Sequence, residues 1–288
     1  EWTLPPQFAF KVLAAGLNMP TGFAFLPDGR ILVTELSGFV KLYKDGALQP
    51  APALDLTDEV NGVLERGLTG IAVDRDFEDN GYVYLLYTYD NPEDEKDGTG
   101  PRQGRLTRFT MAGDTIDPSS KKVLLDGVDS DVPYHAPGSI RAAKDGTLFA
   151  SFGDGSDPYV VSDLSLRSQD LSLMHGKIIH IDREGNAMPS NAFYDPAQPA
   201  SGKSKVYATG FRNPFRFTLH PDSQLPYVGN VGWSTIDSLV IAQPGVNFGW
   251  PCYESYRPVP EFAAKGPCPT LKPEDLVKAD YDYLHNGN

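Results

Sequence analysis

The sequence predicts an all-β fold, a β-propeller built from repeated four-stranded units, on three observations. A hairpin of one type recurs along the chain, further strand-like runs lie between its copies, and helical periodicity is scarce beside 28 Gly and 25 Pro. The first copy is Phe23-Ala-Phe-Leu-Pro-Asp28-Gly-Arg-Ile-Leu-Val33, where Asp-Gly separates two apolar runs as a tight hairpin requires. The second is Ile71 to Leu86, turning at Asn80-Gly81; the third is Ile140 to Ala150, turning at Asp145-Gly146. A looser fourth runs from Phe217 to Val228 through Asp222.

These turns lie too far apart for a simple meander. The intervening runs Phe39 to Tyr43, Arg105 to Thr110, Lys121 to Leu125 and Lys177 to Ile181 supply the missing strands. Four short strands per unit with variable insertions is the pattern of a propeller, whereas a β-sandwich gives no reason for one hairpin to recur. One short helix is expected over Asp163 to Met174. At roughly 40 to 45 residues per blade six could fit, but the insertions use that length. The expectation is therefore one propeller domain over residues 1–288, with its C-terminal blade or blades missing.

Composition narrows the function. The chain carries 25 basic and 38 acidic residues, a net charge of −13, which argues against nucleic acid, whose binding neutralises phosphates with Lys and Arg. No apolar run approaches the roughly 18 residues of a membrane span. Glu1 to Gln7 show neither a basic nor an apolar leader region, so a signal peptide is expected to be absent or already removed. Asp90, Glu93, Asp94, Glu95 and Asp97 crowd one loop, read as a solvated insertion. Cys252 and Cys268 cannot build a zinc site alone. A disulfide closing a surface loop, and with it an oxidising compartment, is favoured over two free thiols.

Candidate chemistry lies on loops at strand ends. The five histidines are scattered, against a histidine metal cluster, and the common hydrolase, P-loop and dinucleotide motifs are missing. His135 precedes the third repeated hairpin and Asp154 follows it, so folding about Asp145-Gly146 brings the two to one end of a blade. A carboxylate on one imidazole nitrogen leaves the other as a general base; a purely structural His–Asp bond is the alternative. Arg212 and Asn213 present donors from a Pro-bounded turn, suited to negative charge on a carbonyl or quinone oxygen or, equally, to bridging blades. The turns at Gly232-Trp233 and Asn247 to Pro251 expose carbonyls able to ligate calcium or simply form packing corners. Glu65-Arg66 is open to a buried salt bridge.

These residues in order resemble the soluble quinoprotein glucose dehydrogenases, also called glucose/sorbosone or aldose sugar dehydrogenases. The resemblance runs through Leu17 to Glu35, Glu65 to Ala72, Asp79 to Thr88, His135 to Asp154, Gly176 to Asp182, Tyr207 to Pro214 and Asn247 to Pro251. Trp250-Pro-Cys-Tyr-Glu254 with a later Cys is similar to the secreted, disulfide-bearing branch. The resemblance implies a six-bladed propeller, secreted or periplasmic, holding pyrroloquinoline quinone (PQQ) and calcium. It implies oxidation of an aldose at its anomeric carbon to the lactone, with electrons passed to an external acceptor. His135 would be the base, Asp154 its orienting partner, and Arg212 and Asn213 the contacts to the quinone oxygens. Glu65, Tyr134 and His135 would meet the sugar, and the carbonyls of Gly232 and Trp233 would help hold calcium.

Departures from the family pattern are local. Tyr134 stands where glucose-oxidising members carry an acid, Glu65 where they carry an amide, and Ile236-Asp237-Ser238 where an acidic pair is expected. The basic residues that grip the PQQ carboxylates belong to later blades. A calcium-stabilised propeller that binds a carbohydrate or protein without catalysis is the alternative function. A calcium-dependent lactone hydrolase would need inward acids around one metal, a set the sequence does not offer convincingly.

Overall fold

A computed structural model describes residues 4–91 and 93–285; Glu1–Thr3, part of the stretch read above for a leader, lie outside the described residues. Four antiparallel sheets follow one another along the chain. The first blade comprises β1 (Pro20–Phe25), β2 (Ile31–Glu35), β3 (Phe39–Lys44) and β4 (Ala47–Leu48), with β5 (Leu54–Asp55) also pairing β3. The second is β6 (Leu68–Val73), β7 (Tyr82–Tyr89), β8 (Arg102–Ala112) and β9 (Thr115–Ser130). The third is β10 (Pro137–Ala142), β11 (Leu148–Phe152), β12 (Lys177–Ile181) and β13 (Val206–Thr209). The fourth begins with β14 (Asn213–Leu219), β15 (Pro226–Val231) and β16 (Ile236–Ile241). The chain then makes a long excursion carrying the small hairpin β17 (Tyr253–Glu254) and β18 (Arg257–Pro258), and returns as β19 (Tyr281–Leu284) on β16.

The first strands β1, β6, β10 and β14 pack side by side in that order, which is the radial arrangement of a propeller. Its cause lies in strand periodicity. Along β7, Val83, Leu85 and Tyr87 enter the core shared with the first blade, while Tyr84 and Leu86 enter the core shared with the third. In the third blade, Leu148, Ala150 and Ile179 face the second blade, and Phe149 and Ile178 face the fourth. Successive side chains of a strand point to opposite faces, so a sheet buried on both sides needs a continuous apolar run. The outward faces of the first and fourth blades are apolar too, with Phe23, Phe25, Leu239 and Tyr281 exposed. A groove of about 800 Å³ runs between Phe23 and Phe25 and the N-terminal Leu13 and Leu17.

Two expectations are corrected. Over the predicted helix Asp163 to Met174 only Asp163–Gln169 is helical, as a 3-10 helix. Its polar side chains are engaged outside the segment or in the next turn: Ser168 Oγ donates to the Phe211 carbonyl, and Asp170 accepts from Ser172. The acidic loop is solvated at Glu93, Asp94, Glu95 and Asp97, but Asp90 is buried. Asp90 accepts from Arg102 Nε, from Asn61 Nδ2 at 3.2 Å and from the Asp97 amide at 2.7 Å, so this acid organises the loop. Cys252 and Cys268 form the disulfide, their Cα atoms 5.1 Å apart.

Polar pins supplement the apolar cores between blades. Arg183, after β12, donates from Nε to Asp74 Oδ2 at 2.9 Å and from Nη2 to Asp76 Oδ2 at 2.5 Å. Asp74 is buried and also accepts from Tyr84 Oη. Burial raises its affinity for a proton, yet the bonds from Tyr84, the Asp76 amide and Asn80, with the charge of Arg183, hold its carboxyl below the ordinary aspartate range. Such a group stabilises the fold above its unfolded pKa, about 3.9, and loses that contribution as pH falls through its lower folded value. Asp74→Asn is therefore expected to cost about 2 kcal/mol at pH 7, read as a lower urea midpoint at unchanged slope. The difference from wild type should shrink as pH drops below about 4.

Candidate active site

The β10–β11 hairpin builds the site. Its strands are antiparallel, with Pro137 opposite Phe152, so His135 and Asp154 emerge together at the end away from the Asp145-Gly146 turn. Gly153 lies against the His135 backbone: a Cβ there would stand 2.3 Å from the His135 carbonyl oxygen. His135 has φ of 48°, a left-handed conformation uncommon for a side chain of this size. Its amide donates to Glu65 Oε2 at 2.9 Å, which anchors the turn.

The imidazole is 3% exposed, and its Nδ1 lies 2.6 Å from Asp154 Oδ1. Asp154 is fully buried. Its Oδ1 also accepts from the Ser156 amide and hydroxyl, both at 2.9 Å, and its Oδ2 accepts from the Trp250 indole at 2.7 Å. Burial alone would raise the carboxyl pKa. The charge and hydrogen bond of His135, the charge of Arg212 and the Ser156 amide outweigh it and draw the value down to about 2. An ionised Asp154 requires a proton on Nδ1, so in the neutral imidazole Nε2 carries the lone pair. Among the described residues Nε2 has no hydrogen-bond partner.

Arg212 enters from the turn before β14 and Asn213 is the first residue of that strand; they are tied to the pair through the Asp154 amide, which donates to the Arg212 carbonyl at 2.8 Å. Both side chains are buried. Arg212 Nη1 donates to the Gly232 carbonyl, and its guanidinium lies 5.6 Å from the Trp250 ring centroid. Burial pushes the Arg212 guanidinium down, against the charges of Asp154, Glu254, Glu65 and Asp237. Among the described residues Arg212 Nε and Asn213 Oδ1 are buried without a hydrogen-bond partner. Buried polar atoms are nearly always paired, so a donor and an acceptor left open on the segment that bonds the Asp154 amide mark where a polar group would be received. The free N–H of Arg212 fits a quinone oxygen of PQQ.

The fit to calcium is partial. The Gly232 carbonyl already accepts from Arg212, leaving the Trp233 carbonyl as the freer oxygen of the turn. Glu254 Oε1 is taken up by the amides of Trp233, Ser234, Thr235 and Ile236 at 2.6 to 3.3 Å. Among the described residues no group of three His, Cys, Asp or Glu side chains could hold a metal. Calcium takes six to eight oxygens, and this turn offers two.

Glu65, Tyr134 and His135 do converge. The Glu65 amide donates to the Pro133 carbonyl, and Tyr134 sits edge-on to the exposed Tyr159, centroids 5.9 Å apart. The expected alternative for Glu65-Arg66 does not form: Arg66 is fully buried and donates to Ser130 and the Gly98 carbonyl. Sequence reasoning missed Ser156, Trp250 and Glu254. Ser156 alone had a signal, two residues beyond an aspartate as in an Asx turn.

Comparison with known proteins identifies the family of the chain. Residues 17–265 match the family model described as glucose/sorbosone dehydrogenase. The quinoprotein glucose dehydrogenase B of Acinetobacter calcoaceticus is 25% identical over 265 residues, covering 87% of this chain and 54% of that protein. The human Hedgehog-interacting protein is 26% identical over 236 residues, covering 74% of this chain and 32% of that protein. The chain thus spans about half the length of the bacterial relative and a third of the human one. The PQQ-bound aldose sugar dehydrogenase of Streptomyces coelicolor shares the fold, with a TM-score of 0.72 at 23% identity over 95% of this chain and 70% of that one. With the match extending over most of its length, the chain belongs to the glucose/sorbosone dehydrogenase family.

Proposed function

We propose that the protein oxidises an aldose-type sugar at its anomeric carbon to the lactone, with PQQ and calcium, and passes the electrons to an external acceptor. The observation that carries this is the buried His135–Asp154 pair, whose Asp154 amide bonds the carbonyl of Arg212, with Arg212 Nε unpartnered among the described residues. The quinone relatives supply the cofactor reading.

Asp154, ionised down to about pH 2, fixes the Nδ1–H tautomer of His135. Nε2 of the neutral His135 would then take the proton of the anomeric hydroxyl. When bound, PQQ would supply the two-electron acceptor for hydride from the anomeric carbon. Arg212 would place a buried, fixed positive charge where negative charge develops. Arg212 and Asn213 would hold the quinone oxygens, and Glu65 and Tyr134 the sugar hydroxyls. The carbonyls of Gly232 and Trp233 would contribute to calcium.

The uncovered apolar faces of the first and fourth blades support a ring completed by further blades, six in all. The disulfide supports a secreted or periplasmic location. A second reading, a propeller that binds a carbohydrate or protein without turnover, draws on the Hedgehog-interacting relative.

Dye reduction across a panel of aldoses, with PQQ and calcium added, should give sugar-dependent turnover in the complete protein. His135→Ala should lower kcat by about 10² to 10⁴, and Asp154→Asn by a comparable factor through the wrong tautomer. PQQ binding with no turnover on any aldose would count against the sugar; no PQQ binding at all would favour the binding module. Arg212→Leu should weaken PQQ binding about tenfold or more, measured by titrating the quinone absorbance against folded protein.

A further inference from the structure

Trp250 belongs to the long excursion between β16 and β19, yet its side chain reaches the centre of the site. The two oxygens of Asp154 are unequally served. Oδ1 has His135 Nδ1, the Ser156 amide and the Ser156 hydroxyl, while Oδ2 has one donor among the described residues, the Trp250 indole at 2.7 Å. Three bonds converging on one oxygen fix its position and leave the carboxylate free to turn about it. The bond to the other oxygen fixes the plane.

The indole itself is held on every side. Its backbone amide donates to the Gly210 carbonyl at 3.0 Å, and its carbonyl accepts from Gln169 Nε2 at 2.7 Å. Gln169 and Asn247 exchange amide hydrogen bonds at 3.0 and 2.8 Å, which secures the start of the turn. The ring packs edge-on to Trp233 and Phe262, centroids 6.1 and 5.8 Å away, in one cluster with Cys252 and Cys268. An aromatic donor with few internal rotations, clamped on backbone and ring, is a rigid support for a buried carboxylate.

We propose that Trp250 is a positioning residue for the base: its N–H sets the plane of Asp154, and through it the direction in which His135 Nε2 points. The proposal rests on the reading of His135 as the base, but the geometry it describes exists in the cofactor-free protein and is measured there. Trp250→Phe keeps an aromatic side chain at this position and removes the donor together with the five-membered part of the indole, so a packing variant is needed beside it. The His135 Nδ1 proton, followed by nuclear magnetic resonance and assigned with His135→Ala, should exchange with solvent about tenfold faster in Trp250→Phe. Phe262→Leu, which loosens the packing around the ring and leaves the N–H in place, should keep the proton protected.

An unchanged Nδ1 proton in a folded Trp250→Phe overturns the proposal, as does equal exposure of that proton in Phe262→Leu. Should Trp250→Phe fail to fold, the wild-type protein still decides. A Trp250 indole proton whose shift follows the His135 titration supports the coupling, and one that stays flat through it overturns it. In the complete, cofactor-loaded protein the same variant should lower kcat about tenfold with little change in KM. Absence of turnover in wild type would strike the dehydrogenase reading and leave the resonance result standing.

Discussion

Burial of both faces of the blades is the constraint on which the rest of this structure depends. Fully burying one large apolar side chain contributes roughly 1.5 to 3 kcal/mol, and β7 alone commits five consecutive residues, Val83 to Tyr87, to two different cores. A slip of one residue would exchange those two sets, sending side chains shaped for one gap into the other. Register is thereby fixed from both sides, and with it the ends of the strands. Strand interiors are largely committed to packing, so the polar groups of the candidate site gather where strands begin or stop. His135 precedes β10, Asp154 follows β11 and Arg212 precedes β14. The rigid sheet positions them, and the loops supply the identity of each side chain.

The electrostatics of the site follow from that placement. A fully buried carboxylate is costly unless its hydrogen bonds are made, and Asp154 makes four. Its depressed pKa is the outcome of a contest in which His135, Arg212 and Ser156 prevail over burial. Arg212 shows the converse. Burial weakens its hold on its proton while four surrounding acids strengthen it, and one of its nitrogens still lacks a partner. The two residues thus keep opposite charges in one desolvated space, where each is worth more than in water. A proton acceptor and a buried cation are what the proposed oxidation of an alcohol carbon asks of the protein, besides a hydride acceptor.

Much of this was legible in the chain, and the limits are physical. The Asp-Gly hairpins declare themselves because two residues set both the turn and the direction of the strands, and β12 occurs over the same residues, Lys177–Ile181, that the apolar run predicts. His135 and Asp154 could be paired because a hairpin joins them. Contacts across longer separations left no such trace. Trp250 is 96 positions from Asp154, and nothing in its neighbourhood marks a carboxylate partner. Asp90 was misjudged because acids in a loop are usually solvated, and only the fold brings Arg102 onto this one. β19 was invisible as part of the fourth blade, since the excursion separates it from β16.

That excursion explains why a chain of this fold keeps a disulfide. A long connection costs entropy to order, and its middle packs in a small cluster of its own, outside the blade-to-blade cores that stabilise the rest. Yet it carries Trp250, which reaches Asp154, and Glu254, whose one oxygen gathers four amides of the Gly232 turn. Closing sixteen positions with a covalent bond removes about 3 kcal/mol of freedom from the unfolded chain, comparable with burying one or two large side chains. The bond sits in the same small cluster as Trp250, Val259 and Phe262, so its constraint acts where the indole must be held. The end of the third blade that carries the candidate site is therefore braced by a segment of the fourth, since Asp154 of the His–Asp pair takes a hydrogen bond from a loop that its own hairpin does not contain.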